Sequence, residues 1–275
     1  MGDEVMLLTG CASGIGLHLA GVLAGRGCRV MATDVDEAGL SARARERGWD
    51  PARVRLRKVD VRRAEDWEAA LDEAEAAWGR VDVLMNIAGV LRPGYVRDLR
   101  PEDVELHLAV NVTGTVLGTR AAARRMLPRR SGHIINFGSL ASLAPVPGLS
   151  LYSASKFAVR GFSLAAAAEL RPEGVAVTVI LPDAVQTPML DLQVDHEEAA
   201  LTFSGARTLT VDDIAGVVDR VLKRRPVEIA VPTARGLAAR LANSVPEVAR
   251  ILGPLLTRKG RQAQERIRSA RERAR

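Results

Sequence analysis

The chain has 275 residues, a formal net charge of +6, and a composition that is 47% hydrophobic but only 3% aromatic. This length suits one large α/β domain with a substantial core, and the abundance of Ala and Val suits helices packed on a parallel sheet. Residues 258–275 hold eight basic and two acidic residues and so account for the whole net charge, which argues against a nucleic-acid-binding face on the rest of the chain.

The cysteine content and the start of the chain indicate the cellular compartment. Cys11 and Cys28 are too few for a disulfide framework, which favours a reducing environment. The first predicted strand begins near Glu4, so no signal peptide is expected, and no apolar run approaches the ~18 residues of a membrane span. We therefore expect a cytoplasmic protein, with peripheral membrane contact as an alternative.

The first strand, predicted over 4–9, leads into a glycine-rich turn and then into a helix. The glycines follow the spacing G-x-x-x-G-x-G, which differs from the generic G-x-G-x-x-G fingerprint. Glycines allow a tight turn beside a pyrophosphate, and the helix N-terminus offers free N–H groups and a positive dipole end. The predicted dinucleotide contacts are Gly10, Ser13, Gly14, Ile15 and Gly16; a plain strand-to-helix turn is the alternative.

The second strand, predicted over 29–34, ends in the carboxylate of Asp34. An acid about 20 residues beyond the glycine loop can accept hydrogen bonds from the adenosine ribose and would repel the 2′-phosphate of NADP. Ala12, Ser13 and Val35 include no basic residue that could hold that phosphate. Asp34 therefore predicts NAD as cofactor, with NADP as the alternative; a carboxylate that only caps the following helix is the non-functional interpretation.

The remaining pattern alternates strands with helices to about residue 232. Five further strands are predicted, over 54–60, 81–86, 133–139, 175–181 and 227–232. This alternation indicates an α/β fold with a parallel, doubly wound sheet of about seven strands, whose ligands lie beyond the carboxyl ends of the strands. We predict one domain over 1–235, with a lid near 183–210, and an amphipathic, Arg-rich helical extension over 236–275. No metal site is predicted.

Tyr152 and Lys156 are the strongest candidates for chemistry. In a helix, residues four apart lie one above the other, so a phenol with an ordinary pKa near ~10 stands beside a fixed positive charge. An adjacent cation favours the phenolate, so Tyr152 could exchange a proton with an alcohol or a carbonyl closer to neutral pH. A surface pair on an amphipathic helix is the alternative.

Taken together, these motifs resemble the short-chain dehydrogenase/reductase family in order and spacing. The matching positions are Thr9–Gly16, Asp60–Val61, Asn86–Gly89, Asn111, Ser139, Tyr152 and Lys156. The resemblance implies a Rossmann fold and an oxidoreductase that interconverts a secondary alcohol and its ketone by hydride transfer. An NADP-linked carbonyl reductase and a non-catalytic, dinucleotide-sensing interaction protein are the alternatives.

The resemblance also implies roles for individual residues. Tyr152 would be the acid/base, Lys156 would hold the nicotinamide ribose, and Ser139 would donate a hydrogen bond to the substrate oxygen. Asn111 would support a water chain to Lys156, although an Asn in an apolar helix is also a common buried amide. The remaining cofactor contacts implied by the family are Asp60, Val61, Asn86, Ala88, Gly89, Pro182, Val185 and Thr187; strand-end residues such as Ser139 also occur without any such role.

One position departs from the family, because Asp183 stands where a glycine usually follows Pro182. We hypothesise that Asp183 contacts the substrate or favours oxidised NAD; a solvated loop Asp is the alternative. The residues expected around the substrate favour a small hydrophobic alcohol or ketone and include Leu140, Leu143, Val146, Leu149, Met189, Leu190 and Leu192. Residues 191–198 are expected to belong to the lid.

The C-terminal extension and the helix after Tyr152 suggest partners. An apolar stripe runs through Leu237, Leu241, Val245, Val248, Ile251, Leu252, Leu255 and Leu256. It could cap the substrate site, pack in an oligomer, or lie weakly on an anionic membrane. The resemblance implies a homodimer or homotetramer built on the helix that carries Ala165–Ala168, although packing of that helix on its own sheet would look the same.

Overall fold

Seven parallel strands form one sheet in the order β3-β2-β1-β4-β5-β6-β7 in the computed structural model, which describes residues 2–273. The strands are β1 (Val5–Thr9), β2 (Arg29–Asp34), β3 (Val54–Lys58), β4 (Val83–Asn86), β5 (Gly132–Phe137), β6 (Val175–Pro182) and β7 (Glu228–Val231). The predicted number and order of strands along the chain are confirmed. Because β1 pairs with both β2 and β4, the order reverses between β1 and β4, which is where such sheets bind ligands.

Helices connect the strands and cover the sheet. They are α1 (Gly14–Gly25), α2 (Glu37–Glu46), α3 (Ala64–Trp78), α4 (Pro101–His107), α5 (Gly114–Met126), α6 (Ser150–Leu170), α7 (Pro188–Asp191), α8 (Val211–Arg224), α9 (Thr233–Ser244) and α10 (Pro246–Arg273). A π-helical turn over Leu108–Thr113 joins α4 to α5, so the helix expected around Asn111 is present but locally widened. The predicted doubly wound fold is confirmed.

The first strand shows why the sequence gives this architecture. Met6 and Leu8 pack into the core on the α1 and α8 side, whereas Val5 and Leu7 pack into the core on the α3 and α5 side. All four side chains are almost completely buried. A strand covered by helices on both faces needs an uninterrupted apolar run, and the run before Thr9 supplies it.

The C-terminal extension is helical, as predicted, and its second half packs against the lid. The segment predicted as a lid contains α7 and a 3-10 helix over Glu197–Ser204, and α10 lies along that 3-10 helix. Met1, Ala274 and Arg275 lie outside the described residues, as do the side chains of Val248 and Leu252 from the predicted stripe. Over residues 2–273, no helix is long and apolar enough to cross a membrane.

Candidate functional site

The glycine loop between β1 and α1 has a backbone that only glycine fits. Gly10 and Gly14 have positive φ angles of 71° and 55°, a region that disfavours other residues. A Cβ on Gly16 would lie 2.1 Å from the carbonyl oxygen of Gly10. The loop therefore folds back on the first turn of α1 and leaves the N–H groups of that turn facing a cavity.

Thr9 joins this loop to the end of β4. Its Oγ1 accepts hydrogen bonds from the backbone N–H groups of Ile87 and Ala88, both at 3.0 Å. A Cβ on Gly10 would lie 3.0 Å from the Cα of Ala88. The two strand ends on either side of the reversal point are thus held in contact, which brings Ala88 and Gly89 beside the glycine loop.

Asp34 supports the loop from the end of β2. Its two carboxylate oxygens accept the backbone N–H groups of Ala12 at 2.9 Å and of Asp36 at 3.0 Å. The N-cap of α2 is Asp36, whose side chain accepts from the Gly39 N–H. Asp34 therefore does not cap the following helix; it holds the glycine loop and lines the adjacent cavity.

That cavity has a volume of about 400 Å³ and opens at the reversal point of the sheet. Most of the predicted cofactor contacts line it, namely Gly10, Ser13, Gly14, Ile15, Gly16, Asp34, Asp60, Val61, Ala88, Gly89 and Thr187. The glycine cradle and the exposed N–H groups of α1 fit the phosphates of a dinucleotide, and the mixed apolar and polar walls fit its rings.

Arg62, which the sequence reasoning missed, also lines this cavity. Its guanidinium pairs with the carboxylate of Asp60, with Nη2 at 2.6 Å from Oδ2. The hydrogen bond from Arg62 lowers the pKa of Asp60 below its usual range. The signal that could have revealed Arg62 is its place two residues beyond Asp60, at the carboxyl end of β3.

Asn86 lies outside both cavity linings. Its side chain is 4% exposed and donates hydrogen bonds to Asn136 Oδ1 at 2.8 Å and to Thr119 Oγ1 at 3.3 Å. These partners are themselves buried beneath the strand ends. The structure thus places the Asn86 side chain in a polar network that supports β4 and β5, away from the predicted cofactor contact.

Tyr152 and Lys156 lie on the first turns of α6, and Ser139 follows β5. All three line a second cavity of about 450 Å³. Lys156 Nζ donates to the carbonyl oxygen of Phe137 at 2.9 Å and lies 5.6 Å from the centre of the Tyr152 ring. The predicted spacing of four residues therefore does bring the phenol and the ammonium to one place.

Burial controls the ionisation of both groups in the free protein. It raises the pKa of Tyr152 to about 12, against the lowering effect of a hydrogen bond with Ser139. It lowers the pKa of Lys156 to about 8. The sequence led us to expect a lowered Tyr152 pKa, and the direction found is the opposite, because neither side chain is solvated and desolvation disfavours both charged forms.

Asn111 sits in the π-helical turn, directly behind this pair. Its Oδ1 accepts from the Val90 N–H at 2.8 Å, and its Nδ2 donates to Ser155 Oγ at 2.9 Å. A Cβ on Gly89 would lie 3.3 Å from Asn111 Oδ1 and 3.6 Å from Lys156 Nζ. Asn111 is thus close to Lys156 and braces α6, although it does not line either cavity.

The second cavity is mainly apolar. Of the predicted lining residues, the structure places Leu140, Val146, Leu149, Met189 and Leu190 there, with Pro182 and Val185. Leu143 instead packs in the core with Val179, and Leu192 is 61% exposed. Further lining residues come mostly from the last third of the chain. Leu201, Thr202 and Ser204 lie within the segment predicted as a lid near 183–210, and Leu256 belongs to the stripe for which capping the substrate site was one of the alternatives. Sequence reasoning missed Ala238, Ala239 and Ala242.

Asp183 forms an ion pair inside this cavity. Its Oδ2 lies 2.9 Å from Nε of Arg235, the Asp183 side chain is 10% exposed, and Arg235 also donates to Ser204 Oγ. Burial raises the pKa of Asp183, while Arg235 opposes that shift. Asp183 is therefore a buried partner of α9 and not a solvated loop residue. The presence of Asp183 where the family usually has glycine was the signal in the sequence, because a buried carboxylate needs a nearby cation.

Gln264 of α10 anchors the lid. The side chain is fully buried, and its Nε2 donates to the carbonyl oxygens of Gln193 and His196 at 2.9 and 2.8 Å. A Cβ on Gly260 would lie 1.9 Å from the carbonyl oxygen of Ala200, so α10 crosses the lid at backbone contact. The helical spacing of Gly260, Gln264 and Ile267 is the signal that could have identified this face.

Comparisons with known proteins agree with the geometry. A family model described as short chain dehydrogenase matches residues 4–198. D-threitol dehydrogenase of Mycolicibacterium smegmatis is 39% identical over 186 residues, covering 68% of this chain and 72% of the relative. The 3-alpha-(or 20-beta)-hydroxysteroid dehydrogenase of Mycobacterium bovis is 38% identical over 189 residues, covering 68% and 71% respectively.

The fold is also shared with a solved structure that contains the cofactor. A short chain dehydrogenase/reductase from Burkholderia phymatum in complex with NAD superposes with a TM-score of 0.80 at 26% identity, covering 90% of this chain and 95% of that one.

Proposed function

The chain belongs to the short-chain dehydrogenase/reductase family, and from that premise we propose that it interconverts an apolar secondary alcohol and its ketone with NAD, using Tyr152 as the acid/base. One observation carries this proposal. Tyr152, Ser139 and Lys156 meet in an apolar cavity that shares walls with the glycine-loop cavity, and the shared residues are Ile15, Ile87, Gly89, Thr187 and Met189.

The residues at the glycine loop fit a nicotinamide dinucleotide. The α1 N-terminus and the cradle around Gly14 would hold the pyrophosphate, and Asp34 would bind the adenosine ribose. Thr187 and Val185, which line the substrate cavity, would contact the nicotinamide end. When bound, the dinucleotide supplies the hydride acceptor for the alcohol or the hydride donor for the ketone.

The residues of this chain account for the accompanying proton. With a pKa of about 12 in the free protein, Tyr152 carries its proton at neutral pH and can donate it to a carbonyl oxygen. Taking a proton from an alcohol requires a stabilised phenolate, and a charged Lys156 at 5.6 Å from the ring acts in that direction. Ser139, within hydrogen-bond reach of Tyr152, would orient the substrate oxygen.

The cavity favours a bulky apolar substrate. Threitol, the polyol in the name of one relative, carries several hydroxyl groups. Against Leu, Val and Ala side chains these hydroxyls would lack hydrogen-bond partners, and each buried, unpaired hydroxyl would cost about 1–3 kcal/mol of binding free energy. The hydroxysteroid named for the other relative presents one reacting oxygen on an apolar body. We therefore propose a neutral alcohol of that kind; the opposite charges of Asp183 and Arg235 neutralise each other and give no preference for an ionic group.

NAD is the proposed cofactor because of Asp34. Its carboxylate already accepts two backbone N–H groups and lines the cavity, so it would face the 2′-phosphate of NADP with a fixed negative charge. Arg62 is the cation that could favour NADP, but it is paired with Asp60. Comparison of NAD and NADP affinities in the wild type and in Asp34→Ser tests the assignment: we expect the wild type to prefer NAD and the variant to lose that preference.

The test of the main proposal uses Tyr152→Phe. Wild-type protein should oxidise hydroxysteroids with NAD and should leave D-threitol almost unchanged. The Phe variant should lose at least about 10²-fold in kcat, while its dinucleotide affinity by fluorescence titration stays unchanged. Full turnover by the Phe variant would disprove the assigned role. Dinucleotide binding without turnover of any alcohol or ketone would instead favour a dinucleotide-sensing protein.

The exposed side of α6 supports an oligomer. Ala166 and Ala167 are buried against the sheet, whereas Ala165 and Ala168, three residues apart on the helix, are exposed. Small exposed residues at this spacing permit close helix–helix approach, and we propose a homodimer or homotetramer through this face. Light scattering should show an oligomer for the wild type and a monomer for Ala165→Arg/Ala168→Arg; a monomeric wild type would contradict the proposal.

A further inference from the structure

The α9–α10 hairpin carries an unusual number of exposed apolar side chains. Six large hydrophobic residues there are at least 40% exposed: Leu237, Leu241, Val245, Ile251, Leu255 and Leu256. Leu237 and Leu241 are four residues apart on α9, with Val245 just beyond its end, and Ile251 and Leu255 are four residues apart on α10, so each helix presents a stripe. Exposed apolar residues are normal when they are scattered, but a group on two touching helices indicates a surface that binds something.

This surface is bordered by positive charge. Arg258 and Lys259 follow Leu255 by three and four residues, so they extend its stripe along α10, and both are exposed, as is Arg261. Over the part of the chain that the structure describes, these three side chains have no acidic group within 4.0 Å. Glu247 is the one acidic residue between 236 and 264, and it pairs with Arg250 at 2.6 Å.

The same hairpin forms a wall of the substrate cavity. Ala238 and Ala242 of α9 line the cavity, and so does Leu256 of α10, which is also 40% exposed. The apolar surface and the cavity therefore involve the same two helices, and Leu256 belongs to both. An apolar molecule held at this surface would be adjacent to the cavity.

We propose that the α9–α10 hairpin docks on an anionic lipid bilayer, with its leucines in the interface and Arg258, Lys259 and Arg261 on the headgroups. A bilayer surface offers hydrocarbon and negative charge side by side, which matches this arrangement. A second copy of the chain fits less well, because a two-fold contact through this face would bring two sets of like charges together. The proposal does not depend on the identity of the reaction.

Vesicle flotation with the full chain tests the proposal. Wild-type protein is mixed with vesicles of phosphatidylcholine alone or of phosphatidylcholine with phosphatidylglycerol. We expect it to float with the anionic vesicles and to be released by added salt, because surface attraction is screened within about 10 Å at 0.1 M. Arg258→Glu/Lys259→Glu should reduce binding by at least roughly 30-fold, and Leu241→Ser/Leu255→Ser should reduce it to a similar degree.

Matched controls change similar residues elsewhere. Lys223→Glu/Arg224→Glu alters an adjacent exposed basic pair on α8, and Val96→Ser alters a side chain that is 73% exposed far from α9 and α10 in the sequence. Both should float like the wild type. Circular dichroism of every variant confirms that the fold is retained, as expected for exposed positions.

Three outcomes would overturn the proposal. The wild type could remain at the bottom of the gradient with anionic vesicles, or its flotation could survive both hairpin substitutions. Alternatively, Leu241→Ser/Leu255→Ser could convert an oligomer to a monomer in light scattering without vesicle binding by the wild type, which would show that a second copy covers the surface.

Discussion

The glycine-loop cavity and the Tyr152 cavity, which we propose for cofactor and substrate respectively, are built in different ways. The first is shaped by backbone: glycines at positive φ, a helix N-terminus, and N–H groups that bond to Thr9 and Asp34. The second is shaped by side chains that arrive from distant parts of the chain, including Arg235 of α9 and Leu256 of α10. A backbone requirement is local and leaves short motifs, whereas a side-chain wall depends on how separate helices pack.

This difference indicates which substitutions should disrupt each cavity. A single added methyl group should destroy the first cavity while the rest of the protein stays folded. The second cavity should respond gradually to most substitutions, because its walls are supported by several independent contacts; Gly260 is the exception, since a Cβ there would lie 1.9 Å from the Ala200 carbonyl oxygen. Substitutions that separate cofactor affinity from substrate KM therefore test whether the two cavities are as distinct as the structure indicates.

The largest effect is expected from Gly16→Ala. The new Cβ would meet the Gly10 carbonyl oxygen at 2.1 Å, so the loop must move, and dinucleotide affinity should fall by about 100-fold or more. Gly25→Ala, at the other end of α1, is the matched control because a Cβ there meets no atom within 4 Å. It should bind the dinucleotide normally and gain about 0.5–1 kcal/mol in unfolding free energy. Equal affinities in the two variants would contradict a backbone-built site.

Gln264→Leu should affect the other cavity. The carbonyl oxygens of Gln193 and His196 would lose their donor, at a cost of about 1–3 kcal/mol for the buried Gln193 oxygen and less for the part-buried His196 oxygen, and the lid should loosen. We expect substrate KM to rise roughly 10-fold with dinucleotide affinity unchanged. Gln262→Leu, an exposed neighbour, is the control. A parallel loss of dinucleotide affinity would show that the two cavities are not independent.

His133 of β5 tests the sheet that both cavities share. Burial lowers its pKa from 6.5 to about 3, so on acidification the unfolded chain takes up the proton first. The free energy of unfolding is therefore unaffected by titration of His133 above pH 6.5. Below that pH it falls by up to about 1.4 kcal/mol per pH unit, because only the unfolded chain protonates the imidazole. Urea unfolding at pH 7 and 5 should show a smaller acid loss in His133→Gln. The exposed His196→Gln should match the wild type, and an unchanged slope in His133→Gln would refute the assignment.

The smallest effect is expected at the Asp183–Arg235 pair, which joins β6 to α9. A double-mutant cycle with Asp183→Asn and Arg235→Gln should give a coupling of about 1 kcal/mol in unfolding free energy, because Arg235 is partly screened by solvent. If Asp183 acts on the substrate side, Asp183→Gly will change KM and leave NAD affinity alone. A selective loss of NAD affinity would instead support the hypothesis that Asp183 favours oxidised NAD.

The fold was largely predictable from the sequence. Strands buried on both faces, such as β1, are continuous apolar runs. A glycine-rich stretch such as Gly10 to Gly16, between a strand and a helix, is typical of a dinucleotide-binding loop. The π-helical turn at Leu108–Thr113 was not predictable, since the residues around Asn111 are equally compatible with a regular helix. In that turn Asn111 hydrogen-bonds with Val90 and Ser155, which are distant in sequence, so its surroundings could not be read from the local pattern.

The site was predictable where its chemistry is local. Tyr152 and Lys156 share one helix, so their proximity follows from helical geometry. The contact between Asp183 and Arg235 could not be predicted from the sequence, because Arg235 lies about 50 residues later, on α9, which follows β7. Arg62, beside Asp60, was readable but was overlooked. The family resemblance implied a cofactor contact for Asn86, whereas its side-chain amide donates to Asn136 on the neighbouring strand.

Gly260 fixes the distance between α10 and the segment that covers the substrate cavity, since any side chain there would collide with Ala200. Changes at Ala238, Ala242 or Leu256 would therefore reshape the cavity wall while the crossing at Gly260 keeps α10 in place. An engineer who wishes to diversify the catalyst should randomise the hairpin and leave the glycine crossing as it is.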